Sequence, residues 1–300
     1  MLFINDLPDA VTSWCYLFAD DTKVARPVAC KEDALLLQRD LDELQTWSSN
    51  WLLKFHPDKC KIISVGAHEN IKHCHLYKID DIEIEHGFQM KDLGVTIDAD
   101  LRFDDHIHEI VKKANSMMGI IRRSFSHLDS KLFKLLFPAF VRSHLEYNQA
   151  VWAPSRRSLI NLIEGVQIRA TKLVDKLGHL DYEDRLRAIG LPTLAFRRMR
   201  GDLIELFKHF TAYDPAARSP RFATTPRPSD RRPRQVYRHD AADGIRGVQY
   251  NSFYFHAAPI WNDLPASVVS ANTMNTFKRR LDMHLKDHPL RYDYTWIRDV

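Results

Sequence analysis

The spacing of apolar residues changes near residue 100, and this change constrains the fold more than any other feature. Before it, apolar and polar residues alternate in short runs: Trp14 to Phe18, Thr22 to Val28, Lys59 to Val65, Leu76 to Ile79, Ile82 to Ile84 and Leu93 to Asp98. Such runs, joined by tight acidic turns at Ala19-Asp20-Asp21 and Asp80-Asp81, predict antiparallel hairpins. One helix is expected among them, from Lys31 to Leu53, because Leu37, Leu41, Leu44, Trp47 and Trp51 recur at steps of three and four. Glu32 and Asp33 sit in its first turn, where the helix dipole favours acids, and His56-Pro57-Asp58 closes it.

After residue 100 the helical period takes over. Ile107, Ile110, Val111, Ala114, Met117, Met118 and Ile121 form one stripe. A second helix, capped by Asp129 or Ser130, carries Leu132, Leu135, Leu136, Phe140 and Val141. Stripes from Leu159 to Val174 and from Leu203 to Phe210 mark two more, the last following Gly190-Leu191-Pro192. Tyr250 to Phe255 alternates like a strand. Thr273 to Lys286 predicts a basic terminal helix with Phe277 and Leu281 inward. The fold class that follows is α+β: antiparallel hairpins with one helix, then a helical region.

The segment Tyr213 to Arg238 breaks this pattern. Five prolines and seven arginines leave too little apolar surface to order it. From Asp214 to His239 those arginines face two aspartates, a net of +5 in a chain whose total is +4. Charge concentrated this way is expected of an arm that meets phosphate, with Arg231, Arg232 and Arg234 at its densest point. The four cysteines form no C-x-x-C pair, which implies a reduced, intracellular protein, cytoplasmic or nuclear and not secreted. His73-Cys74-His75 with Cys60 lacks a second ligand pair at zinc-site spacing. No apolar run approaches the ~20 residues that span a bilayer, so no membrane partner is expected.

Phe18-Ala19-Asp20-Asp21 is the one constellation that points to chemistry. Phosphoryl transfer by two divalent ions needs clustered carboxylates, because the ions lie only ~3.5–4 Å apart and share ligands. A hairpin turn projects adjacent carboxylates together, although most such pairs are simply solvated turn residues. Here the pair has company. Leu2-Phe3-Ile4-Asn5-Asp6-Leu7-Pro8, Phe18-Ala19-Asp20-Asp21, Trp51 to Cys60, and Leu93-Gly94-Val95-Thr96-Ile97-Asp98 follow one another in order. Behind them come His144-Leu145-Glu146-Tyr147, Ala170-Thr171-Lys172-Leu173-Val174, Gly190-Leu191-Pro192-Thr193-Leu194, Ile260-Trp261-Asn262-Asp263-Leu264-Pro265 and Asn275 to Leu281. In order and spacing these motifs resemble the reverse transcriptases of jockey-like non-LTR retrotransposons, nearly end to end.

The resemblance implies roles. Asp20 and Asp21 would belong to the Mg²⁺-binding carboxylate set that serves the primer 3′-hydroxyl and the nucleoside triphosphate. Lys59 would protonate departing pyrophosphate, although it also reads as an exposed strand lysine, and His56 stands where the family commonly has Asn. Leu93 and Gly94 would hold the primer end; Leu93 also reads as a core residue. The implied partners are an RNA template and a DNA primer. The resemblance also implies that the chain starts late: only nineteen residues precede Asp20, and Asp6 and Asp9 fall in a different motif. The fingers, another metal-binding aspartate and most of the template-gripping motif would lie upstream of the apolar opening Met1 to Pro8.

The expected organisation is a truncated polymerase palm over 1–100, a helical thumb-like region over 101–212, a basic linker over 213–240 and a small carboxy-terminal segment over 241–300. The function expected is that of a reverse transcriptase fragment, inactive by itself. The alternatives are a non-enzymatic nucleic-acid-binding module and a polymerase whose reading frame continues upstream of Met1.

Overall fold

A computed structural model describes residues 4–66, 75–211 and 253–296. The Arg-rich segment with Arg231, Arg232 and Arg234, and His73 and Cys74, lie outside the described residues. The chain divides into two compact units, one of residues 1–91 and 98–100, the other of 92–97 and 101–300.

In the first unit, strands β1 (Trp14–Phe18) and β2 (Asp21–Ala25) pair antiparallel, with Phe18 opposite Asp21 and Trp14 opposite Ala25. The alternation sorts their two faces: Trp14, Tyr16 and Phe18 are exposed, while Cys15, Leu17 and Val24 turn to a core of Leu7, Val11, Leu44 and Trp47. The last two belong to helix α1 (Lys31–Trp51), whose start is satisfied by Asp33, accepting from the Ala29 N–H at 2.9 Å and the Cys30 N–H at 3.2 Å. Leu52, left-handed at φ 57°, ends it. Trp51, expected on the inner stripe, is 44% exposed because it lies in the last turn, beyond the reach of the hairpin core.

Three further strand pairs follow. β3 (Lys61–Ile63) pairs with β6 (Glu85–Gly87) in parallel, where only antiparallel pairing is expected from the sequence. β4 (Lys78–Ile79) and β5 (Ile82–Glu83) form the expected hairpin around Asp80 and Asp81, both at positive φ. The Gln38 side chain of α1 grips this hairpin, accepting from the Lys78 N–H at 2.9 Å and donating to its carbonyl at 3.0 Å. β7 (Gln89–Asp92) and β8 (Val95–Asp98) flank a turn at Leu93 and Gly94.

The second unit is helical. α2 (Asp104–Ser124) buries Ile107, Ile110, Val111, Ala114, Met118 and Ile121, the predicted stripe. α3 (Ser130–Leu136) is capped by Asp129, which accepts from the Leu132 N–H at 2.7 Å. It widens into a π-helical segment, Phe137–Arg142, at Pro138, which has no N–H to give to the preceding turn. The stripe expected there shifts in consequence: Phe133, Phe137 and Val141 are buried, while Leu135 and Phe140 are exposed. α4 (Ser143–Glu146), α5 (Gln149–Trp152), α6 (Arg157–Thr171), α7 (Tyr182–Ile189) and α8 (Leu194–Thr211) follow. Gly190, left-handed at φ 77°, stops α7, a helix that the sequence reading did not mark.

From residue 253 onward come α9 (Phe253–Asp263), α10 (Ala266–Val269) and α11 (Met274–His284), the last capped by Thr273. The strand expected up to Phe255 is therefore corrected: residues 253–255 begin a helix whose buried Ala257, Ala258 and Trp261 recur at helical spacing. Phe277 and Leu281 are fully buried, as predicted for the terminal helix. They share one core with Phe196, Leu203, Leu206 and Phe207 of α8. The architecture is thus α+β, small hairpins followed by helices. Among the described residues no helix is long and apolar enough to cross a membrane.

Candidate functional site

The hairpin tip carries two consecutive aspartates, both exposed to solvent. Ala19 and Asp20 are the two central residues of the turn, and Asp21 is the first residue of β2, opposite Phe18. Ala19 has φ +54°, and Asp20 is not among the positive-φ residues. A positive φ at the first central position is one that tight hairpin turns usually give to glycine. An alanine there holds the tip in a conformation that costs ~1–2 kcal/mol. Asp20 and Asp21 are both exposed and make no ion pair among the described residues. Carboxylates left unneutralised in water are free to receive a cation or to remain solvated.

The base of the hairpin is held by a residue that sequence reasoning passed over. Asp40 of α1 is buried, and its carboxylate accepts from the Thr12 N–H at 2.8 Å, the Ser13 N–H at 2.9 Å and the hydroxyls of both. The Arg26 guanidinium lies 3.6 Å from the same carboxylate and also donates to Ser13 Oγ at 2.8 Å and Thr12 Oγ1 at 2.6 Å. Burial alone would raise the Asp40 carboxyl, but the donated hydrogen bonds from Ser13 and Thr12 outweigh it and hold the group below the ordinary carboxylate range. The signal was present: position 40 falls between Leu37, Leu41 and Leu44 on the stripe that must face the core.

Lys59 lies in a short 3-10 turn, Pro57–Lys59, just before β3. Its backbone N–H donates to the His56 carbonyl at 2.9 Å, and its side chain is exposed. No hydrogen bond or ion pair joins it to Asp20 or Asp21 among the described residues. Leu93 and Gly94 occupy the β7–β8 turn, in the second unit, at φ +44° and +84°. The Tyr147 hydroxyl donates to the Leu93 carbonyl at 3.0 Å, and the Tyr147 ring lies 3.3 Å from where a Cβ on Gly94 would stand. Two separately predicted motifs, at 93–98 and 144–147, therefore meet at this turn.

The basic residues on the helices differ in their partners. Arg198 is buried, Arg197 pairs with Glu146, and Arg200 forms a two-point pair with Asp282 at 2.5 and 2.9 Å, so these three arginines are engaged within the fold. Lys113 pairs with Glu109 at 2.7 Å, whereas Lys112, Arg122, Arg123, Lys172 and Lys176 are exposed. Among the described residues no group of three or more His, Cys, Asp or Glu side chains gathers to hold a metal ion. Two carboxylates are fewer than a pair of shared ions requires, so these residues alone do not fit a complete two-metal centre.

The first unit thus carries an exposed Asp-Asp tip on a hairpin packed against a long helix. The chain is related to polymerases of the jockey mobile element. It is 27% identical over 178 residues, 57% of its length, to the RNA-directed DNA polymerase from mobile element jockey of Drosophila funebris. It is 26% identical over 167 residues, 52% of its length, to the corresponding polymerase of Drosophila melanogaster. The matched stretches make up 19% and 17% of those proteins, so the chain spans less than a fifth of the curated relatives it matches. No protein-family model matches the chain, and no solved structure does.

Proposed function

We propose that these 300 residues are a carboxy-terminal portion of an RNA-directed DNA polymerase from a jockey-like non-LTR retrotransposon, and that by themselves they do not polymerise. The observation that carries this reading is the exposed Asp20–Asp21 tip on a tight hairpin, in a chain related to the jockey polymerases. Asp20 and Asp21 present two acceptor groups for Mg²⁺, which would neutralise triphosphate charge when bound. With no third carboxylate gathered beside them among the described residues, they hold it weakly. Misplacement of a reacting group by about 1 Å can cost ~10²-fold in rate, which is why the isolated chain is silent. Lys59 is assigned the proton delivered to pyrophosphate, and Leu93 and Gly94 the primer end. The template would be RNA and the primer DNA.

Primer extension on an RNA template tests this. The chain alone gives no product with Mg²⁺ or Mn²⁺. Joined to the upstream part of a jockey polymerase it gives product, and Asp20→Asn removes it. Extension by the chain alone that depends on Asp20 refutes the reading.

A second reading is supported by the arginine concentration between residues 214 and 239: a nucleic-acid-binding module without catalysis. Counterion release makes log K fall with log salt by ~0.9 per phosphate contacted on duplex DNA and ~0.7 on single strands. Replacing Arg231, Arg232 and Arg234 by Ala is expected to remove roughly two to three contacts from that slope, equally for unrelated sequences. Filter binding across a salt series that shows no change in slope rejects it.

A further inference from the structure

We infer that Asp40 is a positioning residue for the Asp20–Asp21 tip, an assignment that rests on the polymerase reading for its purpose but not for its test. Residues 12 and 13 immediately precede β1, and Arg26 immediately follows β2. Both roots of the hairpin are thus bound to one carboxylate, itself fixed in the interior of α1. The inner face of the hairpin rests on apolar contacts with Leu44 and Trp47, which resist separation but not tilting, because the hydrophobic effect is non-directional. Direction comes from the carboxylate. Its two oxygens accept from adjacent residues, Oδ1 from Thr12 and Oδ2 from Ser13, and the Arg26 guanidinium closes the far side through the same two hydroxyls. Three points at the base therefore define the inclination of the hairpin on α1, and with it the place of a tip one strand length away. Buried charge is costly unless fully partnered, so a hydrophobic residue would serve stability alone at least as well.

A carboxylate only accepts, whereas an asparagine of the same shape turns one oxygen into a donor aimed at donors. In Asp40→Asn either the Thr12 or the Ser13 N–H at the β1 root loses its acceptor, and the charge that holds Arg26 at the β2 root is gone. The experiment measures amide dipolar couplings of the whole ¹⁵N-labelled chain in a weakly aligned medium, comparing residues 14–25 with 31–51. In the parent, one orientation fits both elements. In Asp40→Asn, α1 keeps its couplings while the hairpin requires a reorientation beyond the ~10–20° that a positioned site tolerates. Asp40→Glu, which restores the charge, brings the hairpin back toward the parent orientation. Ser13→Ala, which cuts the Oδ2 side alone, tilts it in the same sense by less and carries the test if Asp40→Asn prevents folding. Hairpin couplings that fit the parent orientation in a folded Asp40→Asn or Ser13→Ala chain, with only thermal stability reduced, overturn the assignment. Neither nucleotide nor metal enters this measurement. Failure of the polymerase reading shows instead as absence of Asp20-dependent extension once the chain is joined to the upstream part of a jockey polymerase.

Discussion

Asp202 gives the sharpest test of the helical core. It lies on α8 one turn after Arg198; both are buried, and Asp202 Oδ1 and Arg198 Nη1 have no hydrogen-bond partner among the described residues. Burial pushes the Asp202 carboxyl up to about 8 from an ordinary 3.8, against the opposing pull of Arg198. The folded state therefore holds a proton that the unfolded chain releases near pH 4. Between the two values the folded form binds more protons, so stability falls as pH rises, by at most ~1.4 kcal/mol per unit. Over two units, from pH 5 to 7, that amounts to about 2–3 kcal/mol. Asp202→Asn imitates the protonated acid in shape and does not titrate. Its stability advantage over the parent is expected to open above pH 4 and to widen by roughly 3–4 kcal/mol between pH 5 and pH 8, a melting difference of ~6–16 °C for a unit of this size. Urea or thermal denaturation followed across pH 5–8 provides the comparison. Parallel pH profiles, or a variant weaker throughout, mean that the carboxylate is ionised against Arg198 in the folded protein and refute the reasoning.

Two backbone predictions accompany it. Gly94→Ala is expected to destabilise the second unit by ~1–2 kcal/mol, because its φ is positive and the new Cβ meets the Tyr147 ring; Tyr147→Phe costs less, ~0.5–1 kcal/mol, by removing the hydrogen bond to Leu93. Unchanged melting in Gly94→Ala would show that this turn does not hold its left-handed geometry. Ala19→Gly is expected to stabilise the first unit by ~0.5–1 kcal/mol through relief at φ +54°. A loss of stability there, read from amide exchange of β1 and β2, contradicts the turn assignment.

What could be read without coordinates follows from how local each determinant is. α2 was legible because seven apolar residues repeat on one stripe over its 21 residues. The first hairpin was legible because its acidic turn separates two short β-prone runs, although the second strand ends at Ala25 and not at Val28. The parallel pairing of β3 with β6 was not, since nothing within Lys61–Ile63 specifies a partner more than twenty residues away. Tyr250 to Phe255 is too short to separate period two from period 3.6, and its aromatics suit either; the choice was made by Ala257, Ala258 and Trp261 further on. Pro138 marked the widened turn, but its effect on which of Leu135, Phe137 and Phe140 turn inward depended on the helices packed there. In the site, Asp20, Asp21 and the Leu93–Gly94 turn announced themselves by motif. Asp40, Glu164 and Asp202 did so only as charges on apolar stripes. Glu164 accepts from the Leu194 and Ala195 N–H groups at the start of α8 and from Tyr182, contacts that no spacing rule reveals.

The core shared by α8 and the last three helices changes what a break in the chain would mean. Phe210, near the end of α8, and Phe253, at the start of α9, both pack against it. A cut anywhere from 212 to 252 would therefore not excise a domain. It would leave two polypeptides, each with half of an apolar interior, that recover the fold only by finding one another. Cohesion that the intact tether makes independent of concentration would become bimolecular, scaling with how much of each half is present. A peptide starting near residue 253, supplied in trans, should rescue the longer half, much as split proteins are reassembled from their pieces.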